Sequence, residues 1–581
     1  MPMNFKIVNK NEGSDFFITQ VDDADGVSVY EVYFKPEQPC VPKKIKVEFQ
    51  IPYVEATSLW NPQCGLQRNM LADWKLNRQT SKSRLASGIP IQSVIAHNGE
   101  NVFTLSVTDP KTPIEISCGV EEADKTCLCR VIFFPVPVGQ IKEYRSRIII
   151  DCRKQPFYSV IAETVAGMRK APQVIPEAAC QPVYSTWYNF HQDIQDSVLL
   201  AECERAYAMG MRTIIVDDGW QTDNKDGGYL YCGEWRICQS KIRDIRTFVE
   251  AIHRIGMKVM FWFSIPYVGK NTTTWQQFQG KYLDNEGNKW NCLDPRYPDV
   301  REYLIGIYES AIKDWNIDGF KLDFIDSFEL TDYSNTDYAR MDFPFLEDAV
   351  ERLLEDITSR LRKVNPEVLL EFRQTYIGPI ISQYGNMLRV NDCPLDAVAN
   401  RIGVLDLRLT SGKAAVHSDM ITWNKNESNE YVAKQLIAVL FGVPQISVIL
   451  SELSPEHHKT LQFWLDFWIQ HKKTLLDGTL KIYNPEIGYS MAEAELNDES
   501  ICVCYSRKIV SFIKRKQYIV NGTEERGIAI TGNGIVQYAI LDCQGNTVED
   551  GIRDIRQISM FDIPVSGVLY ITENGNYAQS N

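Results

Sequence analysis

Apolar residues along this chain follow two rhythms. Residues 1 to about 175 alternate short β-rich runs with Pro, Gly, Asn and Asp: Val27–Phe34, Ile45–Gln50, Val102–Val107, Arg130–Phe134 and Arg147–Cys152. Alternation of period two between turn residues predicts strands with one buried face, and so an antiparallel β-sandwich. The first helical period is Tyr158–Arg169, followed by a linker rich in Pro and Ala over residues 170–179. From Val183 strand-like runs alternate with amphipathic helices. The predicted strands are Val183–Tyr188, Thr213–Asp217, Lys258–Ser264, Phe320–Ile325, Val368–Arg373, Met387–Asn391, Ala414–His417 and Gln445–Leu450. Predicted helices between them include Ile194–Met209 before Gly210 and Ile242–Ile255 before Gly256, two glycine stop signals. Val300–Trp315 follows Pro295 and Pro298, and Phe345–Val364 stops before Asn365 and Pro366. After about Leu475 short β-runs return: Leu480–Tyr483, Ile501–Tyr505, Gln517–Val520, Gly527–Thr531, Val536–Leu541 and Val568–Ile571.

Strand–helix alternation implies parallel βα units, and eight of them suit a (β/α)8 barrel. The competing doubly wound sheet wants a Gly-rich phosphate turn after its first strand, and Tyr188-Asn189-Phe190-His191 offers none. The expected layout is an N-terminal β-sandwich over 1–175, a (β/α)8 TIM barrel over 176–470 and an all-β domain over 471–581. A chain of 581 residues is too long for one core, which fits several domains.

The net charge of −14 argues against nucleic acid and anionic membrane as partners and fits a neutral substrate. No run approaches a membrane-spanning length and the N-terminus lacks an apolar signal region, so the expectation is a cytoplasmic protein. Fifteen scattered cysteines read as reduced thiols. No CxxC pair or His/Cys cluster suggests a metal, and no cofactor is expected.

In a barrel of this kind the site lies at the carboxyl ends of the strands. Seven of the eight predicted ends carry aromatic or ionisable residues. The first ends in Trp187 and Tyr188, the second in Asp217, Asp218 and Trp220, the third near Trp262 and Ser264. The fourth carries Lys321, Asp323 and Asp326, the fifth Glu371, Arg373 and Gln374, the sixth Arg389, Asn391 and Asp392, the seventh His417 and Asp419. Any one of these alone reads more readily as a capped or solvated charge. Together they repeat a desolvation cost at one face, which a structural role does not explain. Asp323 and Asp392, two strands apart, form a carboxylate pair of the glycosidase type. A separation of about 5 Å means retention, and ~6.5–9.5 Å inversion. Trp187, Trp220 and Trp262 offer flat faces to a sugar ring, although core packing explains a tryptophan as readily. Asp217 and Asp218 are acceptors for adjacent hydroxyls. Lys321, with Arg373 or Arg389, donates to hydroxyls and keeps the nucleophile ionised, while burial is expected to raise the pKa of Asp392.

Trp187-Tyr188, Asp217-Asp218-Gly219-Trp220-Gln221, Gly319-Phe320-Lys321-Leu322-Asp323-Phe324 and Arg389-Val390-Asn391-Asp392-Cys393-Pro394 resemble the melibiase group, glycoside hydrolase family 36 with its sister family 27. The resemblance covers about residues 180–460, and the flanking β-domains also match the family 36 layout. It implies a retaining exo-α-galactosidase, with Asp323 as nucleophile and Asp392 as acid/base. It also implies that Asp217 and Asp218 hold the 4- and 6-hydroxyls, that Lys321 reaches O3 or O4, and that Trp187 and Trp262 wall the ring. The expected partner is a galactose-containing oligosaccharide or glycoconjugate, and family members are often homo-oligomers.

The chain departs from the pattern in places. Arg389 stands three residues before Asp392, where family 27 has four. Glu371-Phe372-Arg373-Gln374-Thr375-Tyr376 replaces the Cys- and Gly-rich segment that reads the sugar's 2-position. An N-acetyl substituent there, and Asp396 as a rival acid/base, therefore stay open. The third strand end lacks the usual acid, so the leaving-group pocket is expected to be unusual. The remaining alternatives are an α-N-acetylgalactosaminidase, a galactosyl-transferring enzyme, a non-catalytic sugar-binding protein, and a metal-dependent hydrolase built on His417 and Asp419.

Overall fold

The computed structural model describes residues 3–8, 14–224, 228–373, 378–513 and 516–573. Two antiparallel sheets, of five and six strands, occupy the first 151 residues. Their facing apolar rows, such as Val32, Phe34, Val47, Leu105, Val131 and Ile148, form one buried core between the sheets. A helix over Phe157–Met168 then leads to the barrel.

The eight barrel strands are β1 (Val183–Ser185), β2 (Thr213–Val216), β3 (Lys258–Ser264), β4 (Gly319–Asp323), β5 (Leu369–Arg373), β6 (Met387–Arg389), β7 (Ala415–His417) and β8 (Gln445–Ile446). Each from β1 to β6 pairs in parallel with the next, and β1 pairs with β8. The seam between β7 and β8 is closed by parallel bridges, His417 to Val443 and Ile421 to Ile446. Val443 N–H also donates to Val416 O at 2.7 Å and Ser418 N–H to Val443 O at 3.0 Å.

The outer helices are α1 (Asp196–Ala208), α2 (Ile245–Ile255), α3 (Pro298–Trp315), α4 (Leu346–Val364), α5 (Ala397–Thr410), α6 (Asn429–Ala438) and α7 (Pro455–Asp477). Their ends follow local chemistry. Asp244 caps α2 by accepting from Thr247 N–H at 2.7 Å, and Gly256 ends it at φ 100°. Between β5 and β6 the described residues hold only the 3₁₀ turn Ile381–Gln383.

Alternation along β4 decides what faces inward. Phe320 packs outward against Tyr308 of α3, ring centroids 5.6 Å apart. Lys321 and Asp323 therefore share the barrel's inner face. The register sets Asp323 beside Ser264 of β3 and Lys321 beside both Trp262 and Glu371. Farther along, Arg373 lies beside Arg389, and Arg389 beside His417.

The C-terminal part is a mainly antiparallel sheet over Thr479–Glu573. Here the sequence expectation needs correction. Gly527–Thr531 and Val536–Leu541 are one strand, Ile528–Leu541, running through Gly532 and Gly534 at φ 145° and 148°. Its partner Thr547–Phe561 was not expected, because its residues are mostly exposed and carry no apolar alternation.

Candidate active site

Asp323 ends β4 with its carboxylate held by two hydrogen bonds and an ion pair. Oδ1 accepts from the Phe324 backbone N–H at 2.9 Å and lies 2.9 Å from Arg373 Nε, and Oδ2 accepts from Trp262 Nε1 at 3.0 Å. Burial works to raise its pKa, but Arg373 and then Lys321 outweigh it, leaving Asp323 below the usual carboxylate range. This anion is held ready without being neutralised.

Asp392 lies three residues past β6. Its Oδ1 accepts from Arg389 Nη2 at 2.8 Å and its Oδ2 from Arg373 Nη1 at 3.4 Å. The guanidinium of Arg373, on the strand between, thus touches both carboxylates. The expectation that burial raises the pKa of Asp392 is wrong for this state. Its side chain is 45% exposed. Burial does push upward, yet Arg389 and Lys321 hold the carboxyl below its ordinary value.

Arg389 is buried and spends its donors on Asp419 and Asp392, with Glu371 Oε1 3.7 Å from its Nε. The expectation is that it binds substrate; in the structure it is paired with Asp419 and Asp392 and so holds the Asp392 side chain in place. Asp419 Oδ2 also accepts from Tyr188 Oη at 2.9 Å and from Cys393 N–H at 2.7 Å, tying the Asp392 loop to β1 and β7.

Across the mouth, Lys321 Nζ donates to Asp217 Oδ2 at 2.6 Å. Burial opposes the ammonium charge, but Asp217 more than compensates and the Lys321 pKa stands above normal. Asp217 Oδ1 accepts from Asp218 N–H at 2.9 Å. Asp218 accepts from Gln192 Nε2 at 2.8 Å and Gln221 Nε2 at 2.7 Å, and burial lifts its pKa. The turn requires Gly219, at φ 110°, because a Cβ there would lie 2.6 Å from Gln192 Cα. Lys241 Nζ, bonded to Gln192 O and Gly219 O at 2.6 Å each, fastens it. Gln192 and Lys241 gave no sequence signal, since their roles arise from contacts between separate loops.

The tryptophans divide. Trp187 starts a one-turn helix just past β1, half-buried, its ring edge-on to His191 at 4.9 Å. Trp220 is a correction: it is fully buried among Phe261, Phe263, Trp235 and Trp315, and its Nε1 donates to Trp262 O. It packs behind the site, with no surface exposed at the mouth. Trp262 is 2% exposed and stacks with Tyr229 at 6.1 Å and 24°, so its contribution is the hydrogen bond to Asp323. The partly exposed rings at this rim are Tyr229, Tyr267 and Phe324, and Phe324 lies under the Arg373 guanidinium at 4.9 Å.

Contacts bear on two further expectations. Asp396 accepts from Val398 N–H and Ala399 N–H at the start of α5, so it is a helix cap rather than an acid/base. His417 Nε2 bonds Ala179 O at 2.8 Å, and burial pulls its pKa down to about 4. With Asp419 taken up by Arg389, these two do not form a metal-binding pair. Gln374, Thr375 and Tyr376 lie outside the described residues.

Residues 175–373 match the Melibiase family model. A blood-group A α-D-galactosamine galactosaminidase from Flavonifractor plautii is 22% identical over 289 residues, 45% of this chain and 26% of that protein. The α-galactosidase Mel36A of Lactobacillus acidophilus is 21% identical over 189 residues, 32% of this chain and 23% of its own length. The matched stretches therefore span about a quarter of these curated relatives. Among solved structures, an α-galactosidase from Lactobacillus brevis superposes with a TM-score of 0.64 at 14% identity, covering 100% of this chain and 86% of that one. A family 36 α-galactosidase from Geobacillus stearothermophilus, solved with raffinose, gives 0.61 at 13% identity, covering 98% and 86%. Residues 175–373 of this chain are thus similar to the Melibiase family, and the chain as a whole has the fold seen in α-galactosidases of glycoside hydrolase family 36.

Proposed function

We propose that this chain is a retaining exo-α-galactosidase that removes terminal α-galactosyl residues from oligosaccharides by double displacement. The observation that supports this most is the sharing of one guanidinium, that of Arg373, between Asp323 and Asp392. Two carboxylates linked this way suit the short separation of about 5 Å that retention needs.

In this reading Asp323 Oδ attacks the anomeric carbon as the glycosidic bond breaks, forming a covalent galactosyl ester. Asp392 gives a proton to the leaving oxygen, then takes one from the water that cleaves the ester. Asp392 pairs with two arginines in the free enzyme, so its protonated form is the minor one at neutral pH. A sugar that displaces water and draws Arg373 aside removes the charge that keeps it ionised. Asp217, Asp218 and Lys321 supply the acceptor and donor set for the ring hydroxyls.

The second reading, an α-galactosaminidase, draws on the printed activity of the Flavonifractor plautii relative. Arg373 and Arg389, two cations at this side of the site, oppose a free ammonium on the sugar and leave hydroxyl or acetamido as the acceptable 2-substituents. A panel of nitrophenyl α-glycosides separates galactose, N-acetylgalactosamine and galactosamine. The galactoside is expected to be hydrolysed best, and preference for the galactosaminide would remove this assignment. Asp323→Asn is expected to abolish turnover of aryl α-galactosides. Asp392→Ala is expected to impair poor leaving groups far more than nitrophenyl, because a good leaving group needs no proton. Equal losses on both substrates would show that Asp392 is not the acid.

A further inference from the structure

Beside Asp392 lies a cavity of about 380 Å³. One wall is the barrel: Asp392 and Cys393 after β6, then Ala399 and Ile402 of α5. The other wall comes from the N-terminal sandwich, with Pro62, Gln63, Gly65 and Leu66. Its size falls in the range of small-ligand sites, about 300–1,000 Å³.

The loop forming the outer wall is anchored. Arg68, fully buried, donates to Gly65 O at 2.6 Å, to Asp406 Oδ2 of α5 at 2.6 Å, and to Tyr489 Oη at 2.8 Å. Trp60 Nε1 donates to Asp406 Oδ1 at 3.0 Å. The loop therefore stands at a fixed distance from the helix that follows the acid/base. Leu66, by contrast, leaves its side chain 59% exposed beside the cavity instead of burying it.

We infer that this cavity is the leaving-group subsite, and that it selects a neutral aglycone with an apolar face, such as an aromatic ring or the C–H face of a second sugar. The inference rests on the α-galactosidase reading above. Three observations carry it. The cavity shares Asp392, the group that must protonate the leaving oxygen, so an aglycone lying in it brings that oxygen to the acid. Its lining is apolar at Pro62, Leu66, Ala399 and Ile402, with Gln63 as an uncharged polar group. The other ionised group on its wall, Asp406, is already neutralised by Arg68. An anionic aglycone would meet no counter-charge here, and a cationic one only carboxylates already paired with arginines, so either would lose its hydration for little return.

The test compares wild type, Leu66→Ala and Leu66→Asp on α-galactosyl fluoride, whose leaving group leaves the cavity empty, and on a naphthyl α-galactoside, whose aglycone fills it. Leu66→Asp is expected to lose at least about tenfold more kcat/KM on the naphthyl substrate than on the fluoride, mainly through KM. Leu66→Ala is expected to fall between. Losses on the two substrates that agree within about twofold, the usual range for an inert surface change, would overturn the subsite while leaving the galactosidase reading intact. A wild-type enzyme inert toward the fluoride would overturn both.

Discussion

Trp262 shows how one side chain serves a site it barely enters. Its ring is buried under Tyr229, and the indole N–H is what reaches Asp323. A hydrogen bond to a charged group contributes about 1.5–3 kcal/mol, and tenfold in rate corresponds to about 1.4 kcal/mol. Trp262→Phe is therefore expected to lower kcat on aryl α-galactosides about tenfold or more. It also removes a donor that favours the Asp323 anion, so the acid limb of kcat/KM should move to higher pH. An unchanged acid limb would mean that the indole does not help hold the carboxylate ionised. Trp220 carries a different lesson at the same scale. It belongs to the Asp-Asp-Gly-Trp turn that contributes to the family resemblance, yet it meets only other core residues. Its position in the motif was readable, but its direction was not, because the strained turn at Gly219 sends the next side chain inward.

At the scale of elements, Asp323 ends β4, Arg373 ends β5 and Asp392 follows β6, and Arg373 on the middle strand couples the two carboxylates. Both carboxylates are held below the usual carboxylate value of about 4. Taking away an adjacent cation makes the anion less favourable and raises a carboxyl pKa. Arg373→Gln should therefore shift the whole bell of kcat/KM against pH upward, each limb by about one unit. Movement of the acid limb alone would mean that Arg373 serves Asp323 and that Arg389 suffices for Asp392. The eight strands were legible because their apolar runs are bounded by charged ends and glycine stops. The long hairpin strand Thr547–Phe561 was not, because a two-sided exposed strand imposes no pattern on its residues.

At the scale of the whole molecule, the three parts of the chain meet at Asp406. Trp60 and Arg68 come from the sandwich, Asp406 from α5 and Tyr489 from the C-terminal sheet, all buried. Breaking a buried ion pair by removing one partner costs about 3–5 kcal/mol, because the remaining charge stays unpaired. Arg68→Met is expected to lower the apparent Tm by several degrees in a thermal melt, and Asp406→Leu in the same chain to restore part of the loss. A single variant that melts with wild type would show that these contacts are incidental to assembly. The same knot holds the Pro62–Leu66 loop beside Asp392, so stability and the leaving-group wall share one support.

The sequence by itself determined the strand–helix alternation, the β-rich flanks and the row of charged residues at the strand ends. Those features depend on local periodicity and on the cost of burying charge, and both are written in single stretches of chain. The tertiary structure alone decided which charges pair. Arg373 joins Asp323 to Asp392, Arg389 turns to Asp419, and Arg68 closes on Asp406, because barrel register and loop approach set distances between residues far apart in the chain. It also decided that Asp392 rests as an anion, since its ionisation depends on arginines whose positions no local pattern specifies.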